Sequence, residues 1–387
     1  MNRGNPIRRV VVEQGSGDYP WALKILDRVP VSPVYESPLA ASSEIPASLE
    51  PDKETLRLVS FPGDFFKPCP GTREYLCCGY RILHAGTNCP LDCSYCILQA
   101  YLNQPSLRVF VNLEEELPAL ASQLDAQPEK IFRVGTGEFM DSLALDPWVK
   151  WTDLLLPFFS RRGNAILELK TKTDHVDVLI SSKVRKRIVV SWSLNAPSMA
   201  AGEEHRAPSI RRRLQAARVC QREGFAVGFH FDPLIQHPGW KDGYRRTLDM
   251  LDRYVLPGGV IWISLGCMRY VPALKPIIRR RHPRSVVLDG EFILGQDGKM
   301  RYFKPIRTDM YGFLAEHLGA WSTNLGLYLC MESRDVWQDA LGWTPPDSAA
   351  LAAFLDGRVE AFFGRGSIGA SSGLAAAPAG HDRGFKA

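Results

Sequence analysis

The sequence predicts an α/β fold in which parallel strands alternate with helices, and two features of the chain support this. Six short runs rich in β-branched or aromatic residues are separated by helical patterns, and the runs are nearly continuously apolar. Such alternation is typical of a parallel sheet with helices outside it. Six units suggest a full or partial (β/α) barrel, and we expect a partial TIM-type barrel with functional residues after the carboxyl ends of its strands. The predicted strands are Gly79–His84, Ile131–Val134, Ala165–Lys170, Arg187–Leu194, Ala226–Asp232 and Val260–Gly266.

The segment before the barrel is predicted to be an irregular arm. Residues 1–70 are rich in proline, which removes backbone donors and interrupts helices. The barrel itself is expected over residues 71–285. Within it, an apolar stripe at helical spacing predicts a helix over Ser209–Glu223, with Gly224 as the stop signal.

The segment after the barrel, residues 286–363, is predicted to form a small extension that contains β-structure. An Asp297-Gly298 pair lies in the short linker between two of its apolar runs and indicates a β-hairpin. The final residues, 364–387, are rich in glycine, alanine and serine and lack apolar periodicity, so we expect a disordered tail. The predicted strands of the extension are Glu291–Leu294, Met300–Phe303 and Leu325–Met331.

The composition is that of an ordinary globular protein, with 45% hydrophobic and 23% charged residues. It excludes a mostly disordered, collagen-like or coiled-coil protein. No run of residues predicts a transmembrane helix or a signal peptide, so we expect a cytoplasmic protein without a membrane partner. The net charge of +5 is concentrated in clusters that favour a polyanionic partner. These clusters lie at Lys183–Arg187, Arg211–Arg222 and Lys275–Arg284.

The strongest chemical signal is a group of cysteines in the segment Cys89-Pro-Leu-Asp-Cys93-Ser-Tyr-Cys96, just after the first predicted strand. Three close thiolates can hold one face of a metal cluster. Because a [4Fe-4S] cluster ordinarily uses four cysteines, three would leave one iron open to bind another molecule. An open coordination position is typical of a catalytic metal site. Two other interpretations stay open, namely a structural zinc site and ordinary buried thiols.

This cysteine loop after the first strand of a (β/α) barrel resembles the radical S-adenosyl-L-methionine (SAM) superfamily, and its surroundings resemble the spore photoproduct lyase family. The resemblance covers roughly Phe61 to Lys304. It implies a lyase for DNA repair that acts on thymine-dimer photoproducts, with a [4Fe-4S] cluster on Cys89, Cys93 and Cys96. The matching stretches are PCPGTREY, CSYCILQAYL, TKTDHVD, SWSLN and GFHFDPLIQHPGWKDGYRRTL.

The same resemblance implies a mechanism and a set of SAM contacts. An electron, from a donor such as flavodoxin or ferredoxin, would break the sulfonium bond of SAM and yield methionine and a 5′-deoxyadenosyl radical. Gly135, Gly137 and Glu138 resemble the element that meets the methionine ammonium, and Lys172 resembles a lysine that contacts the carboxylate. Tyr95 is a candidate catalytic residue that packs against the adenine or the cluster. Further ribose or carboxylate contacts are implied for Ser193 and Asn195.

The chain departs from the family where the product radical is quenched. Spore photoproduct lyases carry a cysteine soon after the second strand that returns a hydrogen atom, and the matching stretch here reads Glu138-Phe139-Met140. The tyrosine expected after the third cluster cysteine is Ile97. If the substrate is a photoproduct, another thiol must serve. Cys330 on the last predicted strand is the first candidate, and Cys267 after the sixth strand is the second.

The sequence therefore leaves two alternative functions open beside DNA repair. The missing donor cysteine favours a radical SAM enzyme that modifies RNA, a peptide or a small molecule. The second alternative is a zinc-stabilised nucleic-acid-binding protein, in which Cys77, Cys78 or His84 would be the fourth zinc ligand. DNA is favoured by the arginine clusters and by the hairpin, from which we expect phosphate contacts. The expected phosphate-binding residues are Arg279, Arg280, Arg281, Arg301 and Lys304.

Overall fold

A computed structural model describes residues 6–37, 51–72 and 74–364 of the chain. The predicted disordered tail lies outside the described residues except for Gly364, and so does residue range 38–50 of the proline-rich segment. Among the described residues, none of the helices combines the length and the apolar composition that a membrane span requires.

The described residues contain sixteen strands in three sheets. In chain order the strands are β1 (Arg9–Glu13), β2 (Pro33–Glu36), β3 (Thr55–Val59), β4 (Phe66–Pro68), β5 (Arg81–Leu83), β6 (Gly86–Thr87), β7 (Leu107–Phe110), β8 (Phe132–Gly135), β9 (Ala165–Thr171), β10 (Ile188–Ser193), β11 (Ala226–Leu234), β12 (Val260–Cys267), β13 (Arg269–Tyr270), β14 (Phe292–Leu294), β15 (Met300–Tyr302) and β16 (Leu327–Leu329).

The same residues contain thirteen α-helices and a short 3₁₀ turn at Pro257–Gly259. In chain order the helices are α1 (Pro20–Arg28), α2 (Leu98–Tyr101), α3 (Leu113–Asp125), α4 (Asp146–Val149), α5 (Trp151–Ser160), α6 (Asp177–Ser181), α7 (Pro197–Glu203), α8 (Ile210–Arg222), α9 (Trp240–Tyr254), α10 (Leu274–Arg281), α11 (Lys304–Trp321), α12 (Arg334–Leu341) and α13 (Ser348–Phe363).

The largest sheet is the partial (β/α) barrel that the sequence predicts. Its strand order is β16-β12-β11-β10-β9-β8-β5-β4, and all pairs between β5 and β16 are parallel. The strands β10 and β12 are buried along their whole length, which explains why they read as continuous apolar runs. All six predicted barrel strands are present. The predicted strand near Leu327 is a seventh parallel strand, because β16 pairs with β12.

The N-terminal arm is not irregular in its described part, and that prediction is wrong. Strands β2, β1, β3 and β7 form a parallel sheet that β6 completes in the antiparallel sense. The prolines stand where such elements tolerate them. Pro20 occupies the first turn of α1, and Pro33 begins the edge strand β2. The number of prolines alone therefore predicts less regular secondary structure in this region than the fold contains.

The predicted helix over Ser209–Glu223 is confirmed as α8, with the Ser209 hydroxyl accepting a hydrogen bond from the Arg212 amide at its start. The predicted hairpin is confirmed as β14 and β15, which pair in the antiparallel sense. Gly298 in its turn has φ of +72°, a conformation that favours glycine. The proposed division of the chain into arm, barrel and extension stays a prediction, since the C-terminal region contributes β16 to the barrel sheet itself.

Candidate active site

A cavity of about 460 Å³ lies at the carboxyl ends of the parallel strands, and its volume is within the usual range of ligand sites. Residues that follow β8 and β9 line it, and so do residues at the ends of β10 and β12. This is the edge at which barrels of this type place their functional residues. The cysteine loop between β6 and α2 lines the same cavity.

The cysteine loop is held in shape by polar contacts from distant parts of the chain. Asn88 has φ of +72°, and its side-chain oxygen accepts a hydrogen bond from the Cys89 amide at 3.0 Å. The buried Lys53 ammonium donates to the same oxygen, and the Asn88 amide donates to the Pro105 carbonyl at 2.8 Å. On the other side, the Ser94 amide donates to the Glu203 carbonyl at 2.8 Å. Polar contacts on both sides thus hold the path of the loop.

The thiols of Cys89, Cys93 and Cys96 all line the cavity. Burial raises the pKa of Cys89 to about 12 and raises the pKa of Cys93 well above its ordinary value. A bound metal deprotonates such thiols, and its positive charge offsets the cost of burying thiolates. Among the described residues, no three His, Cys, Asp or Glu side chains are grouped to hold a single metal ion. Cysteine thiolates are the ligands by which proteins hold iron–sulfur clusters, so the donor set of this loop fits such a cluster.

Four of the residues implied as SAM contacts line the same cavity, which are Gly137, Glu138, Lys172 and Ser193. Gly137 has no room for a side chain, because a Cβ would lie 2.8 Å from Cβ of Lys170. The cavity wall thus brings a carboxylate and an ammonium group near the three thiols. This arrangement supports the binding of a ligand with both an ammonium and a carboxylate.

Gly135 and Asn195 do not line the cavity, and the structure gives both a packing role. A Cβ on Gly135 would lie 1.6 Å from the Tyr80 hydroxyl oxygen, so this position requires glycine. The Asn195 side chain accepts a hydrogen bond from the Tyr244 hydroxyl at 2.8 Å and donates to the Pro233 carbonyl at 3.2 Å. Asn195 therefore holds the loop after β10 against β11 and α9.

Tyr95 makes contacts through both its ring and its hydroxyl group. The hydroxyl donates to the buried Glu204 carboxylate, which also forms an ion pair with Arg213. The ring lies 5.8 Å from Lys172 Nζ, within cation–π distance. Burial and the Glu204 carboxylate raise the pKa of Tyr95 well above its ordinary value. Tyr95 thus links the cavity lysine to a buried ion pair behind the cysteine loop.

Charged residues that the sequence did not single out also line the cavity. Arg269 forms an ion pair with Asp232, at 3.1 Å from its Nη2 to the carboxylate, and both side chains line the wall. Burial opposes the charged form of Lys170, but Glu138 and Asp232 prevail and raise its pKa. These strand-end residues are separated in sequence. Asp232 lies within the matching stretch GFHFDPLIQHPGWKDGYRRTL, whereas Lys170 and Arg269 belong to none of these stretches, and only their positions near strand ends could have indicated them.

The two thiols predicted as hydrogen donors have different surroundings. Cys330 is half-buried, and Nη2 of Arg269 lies 3.5 Å from its sulfur. It does not line the cavity, although its neighbours Arg269 and Met331 do. Cys267 is buried, and Tyr311 forms a hydrogen bond with its amide at 2.7 Å. The cavity wall instead contains Cys69, which the sequence did not suggest as a donor.

The predicted phosphate contacts are partly wrong. Arg301 is 2% exposed and forms an ion pair with Asp297 at 2.7 Å, so it stabilises the hairpin. Arg281 forms an ion pair with Asp92 at 2.8 Å beside the cysteine loop. Lys304 is exposed but forms an ion pair with Asp339 at 2.8 Å. The charges in the sequence could not distinguish the largely buried cations Arg301 and Arg281 from those that face solvent.

Comparison with known proteins bears on the identity of this site. The spore photoproduct lyase of Bacillus subtilis (strain 168) is 27% identical over 203 residues, which are 51% of this chain and 59% of that protein. The spore photoproduct lyase of Geobacillus sp. (strain Y412MC61) is 28% identical over 204 residues, with the same coverage. The chain thus spans 59% of the length of both of these relatives.

A solved structure supports the fold over a larger share of the chain. A spore photoproduct lyase mutant with bound AdoMet and dinucleoside spore photoproduct has a TM-score of 0.71 and 21% identity. The match covers 84% of this chain and 98% of the chain in that solved structure. In addition, the family model described as spore photoproduct lyase matches residues 77–306, more than half of the 387 residues. The chain therefore belongs to the spore photoproduct lyase family.

Proposed function

We propose that the protein is a radical SAM lyase that repairs thymine-dimer photoproducts in DNA, with a [4Fe-4S] cluster on Cys89, Cys93 and Cys96. The observation that carries the proposal is that these three thiols, Glu138 and Lys172 line one cavity at the carboxyl ends of the parallel strands. Family membership supports it, as does a solved relative that holds both AdoMet and dinucleoside spore photoproduct. Flavodoxin or ferredoxin as the electron donor belongs to the same proposal.

The residues of the chain bind and orient the reactants. When bound, the cluster and SAM supply a 5′-deoxyadenosyl radical. The Glu138 carboxylate would hold the methionine ammonium of SAM, and the Lys172 ammonium would hold its carboxylate. Tyr95 packs beside Lys172 and is 8% exposed, so it helps to exclude water from the reacting centre.

The test is anaerobic reconstitution with iron and sulfide, followed by dithionite, SAM and a synthetic spore-photoproduct dinucleotide. We expect both 5′-deoxyadenosine and thymine products, and neither from Cys89→Ala protein treated in the same way. If 5′-deoxyadenosine forms but the photoproduct is unchanged, the protein is a radical SAM enzyme that acts on another substrate and is not a photoproduct lyase. Zinc without iron and sulfide in the purified protein would favour the nucleic-acid-binding alternative.

One observation favours the second candidate, a radical SAM enzyme that modifies RNA, a peptide or a small molecule. Phe139 and Met140 line the cavity after β8, where the family carries its donor cysteine. A thioether has no S–H bond and cannot return a hydrogen atom. A photoproduct lyase on this chain therefore needs a thiol from another part of the wall.

The sequence-based candidates for that thiol remain Cys330 and Cys267. Arg269, which lines the cavity, lies 3.5 Å from the sulfur of Cys330 but contacts only the backbone carbonyl of Cys267, which supports Cys330 over Cys267. The contact of Tyr311 with the Cys267 amide places Cys267 against α11. Neither Cys330 nor Cys267 lines the cavity itself.

Removal of either charged SAM contact is expected to weaken SAM binding without loss of iron. Glu138→Ala and Lys172→Ala each remove one charge-assisted hydrogen bond, worth roughly 1.5–3 kcal/mol, or about ten- to a hundredfold in affinity. Equilibrium dialysis of the reconstituted proteins would measure it. Glu116→Ala and Lys183→Ala, which remove exposed charges elsewhere, are matched controls. Unchanged affinity in both cavity variants would place SAM in another site.

DNA binding is expected to depend on exposed cations near the end of α10. That end lies beside the cavity rim, because Arg281 pairs with Asp92 of the cysteine loop. Reversal of the exposed Arg279 and Arg284 to glutamate should weaken binding regardless of DNA sequence. Fluorescence anisotropy should give a log–log salt slope that is less negative by about 0.9 for each phosphate that the protein no longer neutralises.

The control for this variant is Arg161→Glu, because Arg161 is exposed and precedes β9 at the opposite end of the barrel. It changes the net charge in the same direction without altering the cavity rim. Equal salt slopes for wild type and the Arg279/Arg284 variant would contradict the proposed DNA surface.

A further inference from the structure

A thiol that quenches a product radical must reach the reacting centre, so its position relative to the cavity is decisive. Among the described residues that line the cavity, four are cysteines. Three are the proposed ligands of the cluster. The fourth, Cys69, lies on the wall together with Glu138 and the ion pair of Asp232 and Arg269.

Cys69 is held in place by its own backbone. It directly follows β4, and its amide donates a hydrogen bond to the Tyr80 carbonyl at 2.9 Å. Its carbonyl accepts one from the Gly71 amide at 2.7 Å, which closes a tight turn. The side chain is half-buried. A fixed, partly shielded thiol can meet a substrate radical without admitting bulk water.

The environment of Cys69 also preserves its S–H bond. Burial and the neighbouring Glu138 carboxylate raise the pKa of Cys69 above its ordinary value. Cys77 differs, because a hydrogen bond from Cys78 lowers the pKa of Cys77 to about 7. A thiolate has no hydrogen atom to give. Cys77 also does not line the cavity. Its sulfur packs against Gly71, at 2.7 Å from where a Cβ on that glycine would lie.

We propose that Cys69 is the immediate hydrogen-atom donor of the reaction, in place of Cys330, which contacts Arg269 but does not line the cavity. This rests on the proposed lyase function. The S–H bond of Cys69 breaks homolytically, and its hydrogen atom forms a C–H bond on the product radical, which is thereby reduced. The thiyl radical left on Cys69 takes a hydrogen atom from a low-molecular-weight thiol, which restores the resting residue.

The test is single turnover of the reconstituted full chain in D₂O, where thiol hydrogens exchange with solvent. Wild-type protein should give thymine that carries solvent deuterium. Cys69→Ser should still form 5′-deoxyadenosine and consume the photoproduct, but should lose most of the deuterated thymine to adducts of the product radical. Serine preserves the shape, but its O–H bond is too strong to be given up to a carbon radical. Cys330→Ser and Cys77→Ser are the matched controls and should retain the label.

A second measurement does not depend on turnover. Binding of the photoproduct dinucleotide should slow alkylation of Cys69, read by mass spectrometry, and should leave alkylation of Cys77 unchanged. Normal deuterated thymine from Cys69→Ser, loss of the label in Cys330→Ser alone, or unprotected Cys69 would each overturn the assignment. A wild-type protein that forms 5′-deoxyadenosine but leaves the photoproduct intact would overturn the proposed function, and the donor role with it.

Discussion

Replacement of Cys89, Cys93 or Cys96 by alanine is expected to abolish both the iron–sulfur absorbance of the reconstituted protein and its cleavage of SAM. In the proposed cluster these three thiolates would be the protein ligands, so two remaining thiolates would not retain it in a state that reacts with SAM. The loop itself should persist, because Asn88, Lys53 and Ser94 hold it through polar contacts. Iron and sulfide analysis, visible absorbance and 5′-deoxyadenosine formation would measure the loss.

Two other cysteines provide matched controls for this expectation. Cys77→Ala removes a half-buried thiol outside the cavity lining, and Cys220→Ala removes a buried thiol on α8. Both variants should bind iron and sulfide like the wild type. A Cys89→Ala protein that still cleaves SAM, or a Cys77→Ala protein that loses the cluster, would show that the ligand set is wrong.

Replacement of Arg213 by methionine is expected to destabilise the protein by about 3–5 kcal/mol, because it leaves a buried carboxylate without its partner. The side chains of Arg213 and Glu204 are 0% and 1% exposed, respectively, and they form an ion pair. The backbone of Glu204 forms a β-bridge with Cys93, and its carboxylate accepts a hydrogen bond from the Tyr95 hydroxyl. Loss of the arginine should therefore also lower the iron content. Urea unfolding and iron analysis would measure the two effects.

Arg212→Met is the matched control, since it removes the adjacent arginine. The Arg212 side chain is 48% exposed where it pairs with Asp174, and such surface pairs contribute about 0–1 kcal/mol. The double variant Arg213→Met with Glu204→Gln should recover part of the stability, because the uncompensated charge is gone. Equal losses from Arg212→Met and Arg213→Met would refute the special role of the buried pair.

The barrel could be predicted from the sequence because its signal is local. A buried parallel strand such as β12 is apolar along its whole length, and β14 and β15 are joined by a turn that contains Asp-Gly. The N-terminal sheet could not be predicted in this way. Its strands are short, they lie among prolines, and β1 pairs with partners on both sides that are distant in sequence. Tertiary pairing, rather than local preference, stabilises them.

The candidate site likewise contains some residues that the sequence could predict and others that it could not. Cys89, Cys93 and Cys96 lie within one short loop, so their spacing alone indicated a metal cluster. Lys53, which braces that loop, comes from a segment next to the N-terminal sheet, and no motif links it to the cysteines. Arg301 was predicted to bind DNA from its charge, yet the structure buries it against Asp297. Charge is visible in a sequence, but its exposure is set by packing.

By itself, the sequence determined that this chain forms a parallel α/β barrel with a three-cysteine loop after its first strand, because both are properties of contiguous residues. Only the tertiary structure decided which thiol outside the three-cysteine loop lines the cavity. Cys69 and Cys330 are far apart in sequence and follow strands at opposite sides of the same sheet. Their positions relative to the cavity depend on how that sheet curls, which is a cooperative result of packing across the whole barrel.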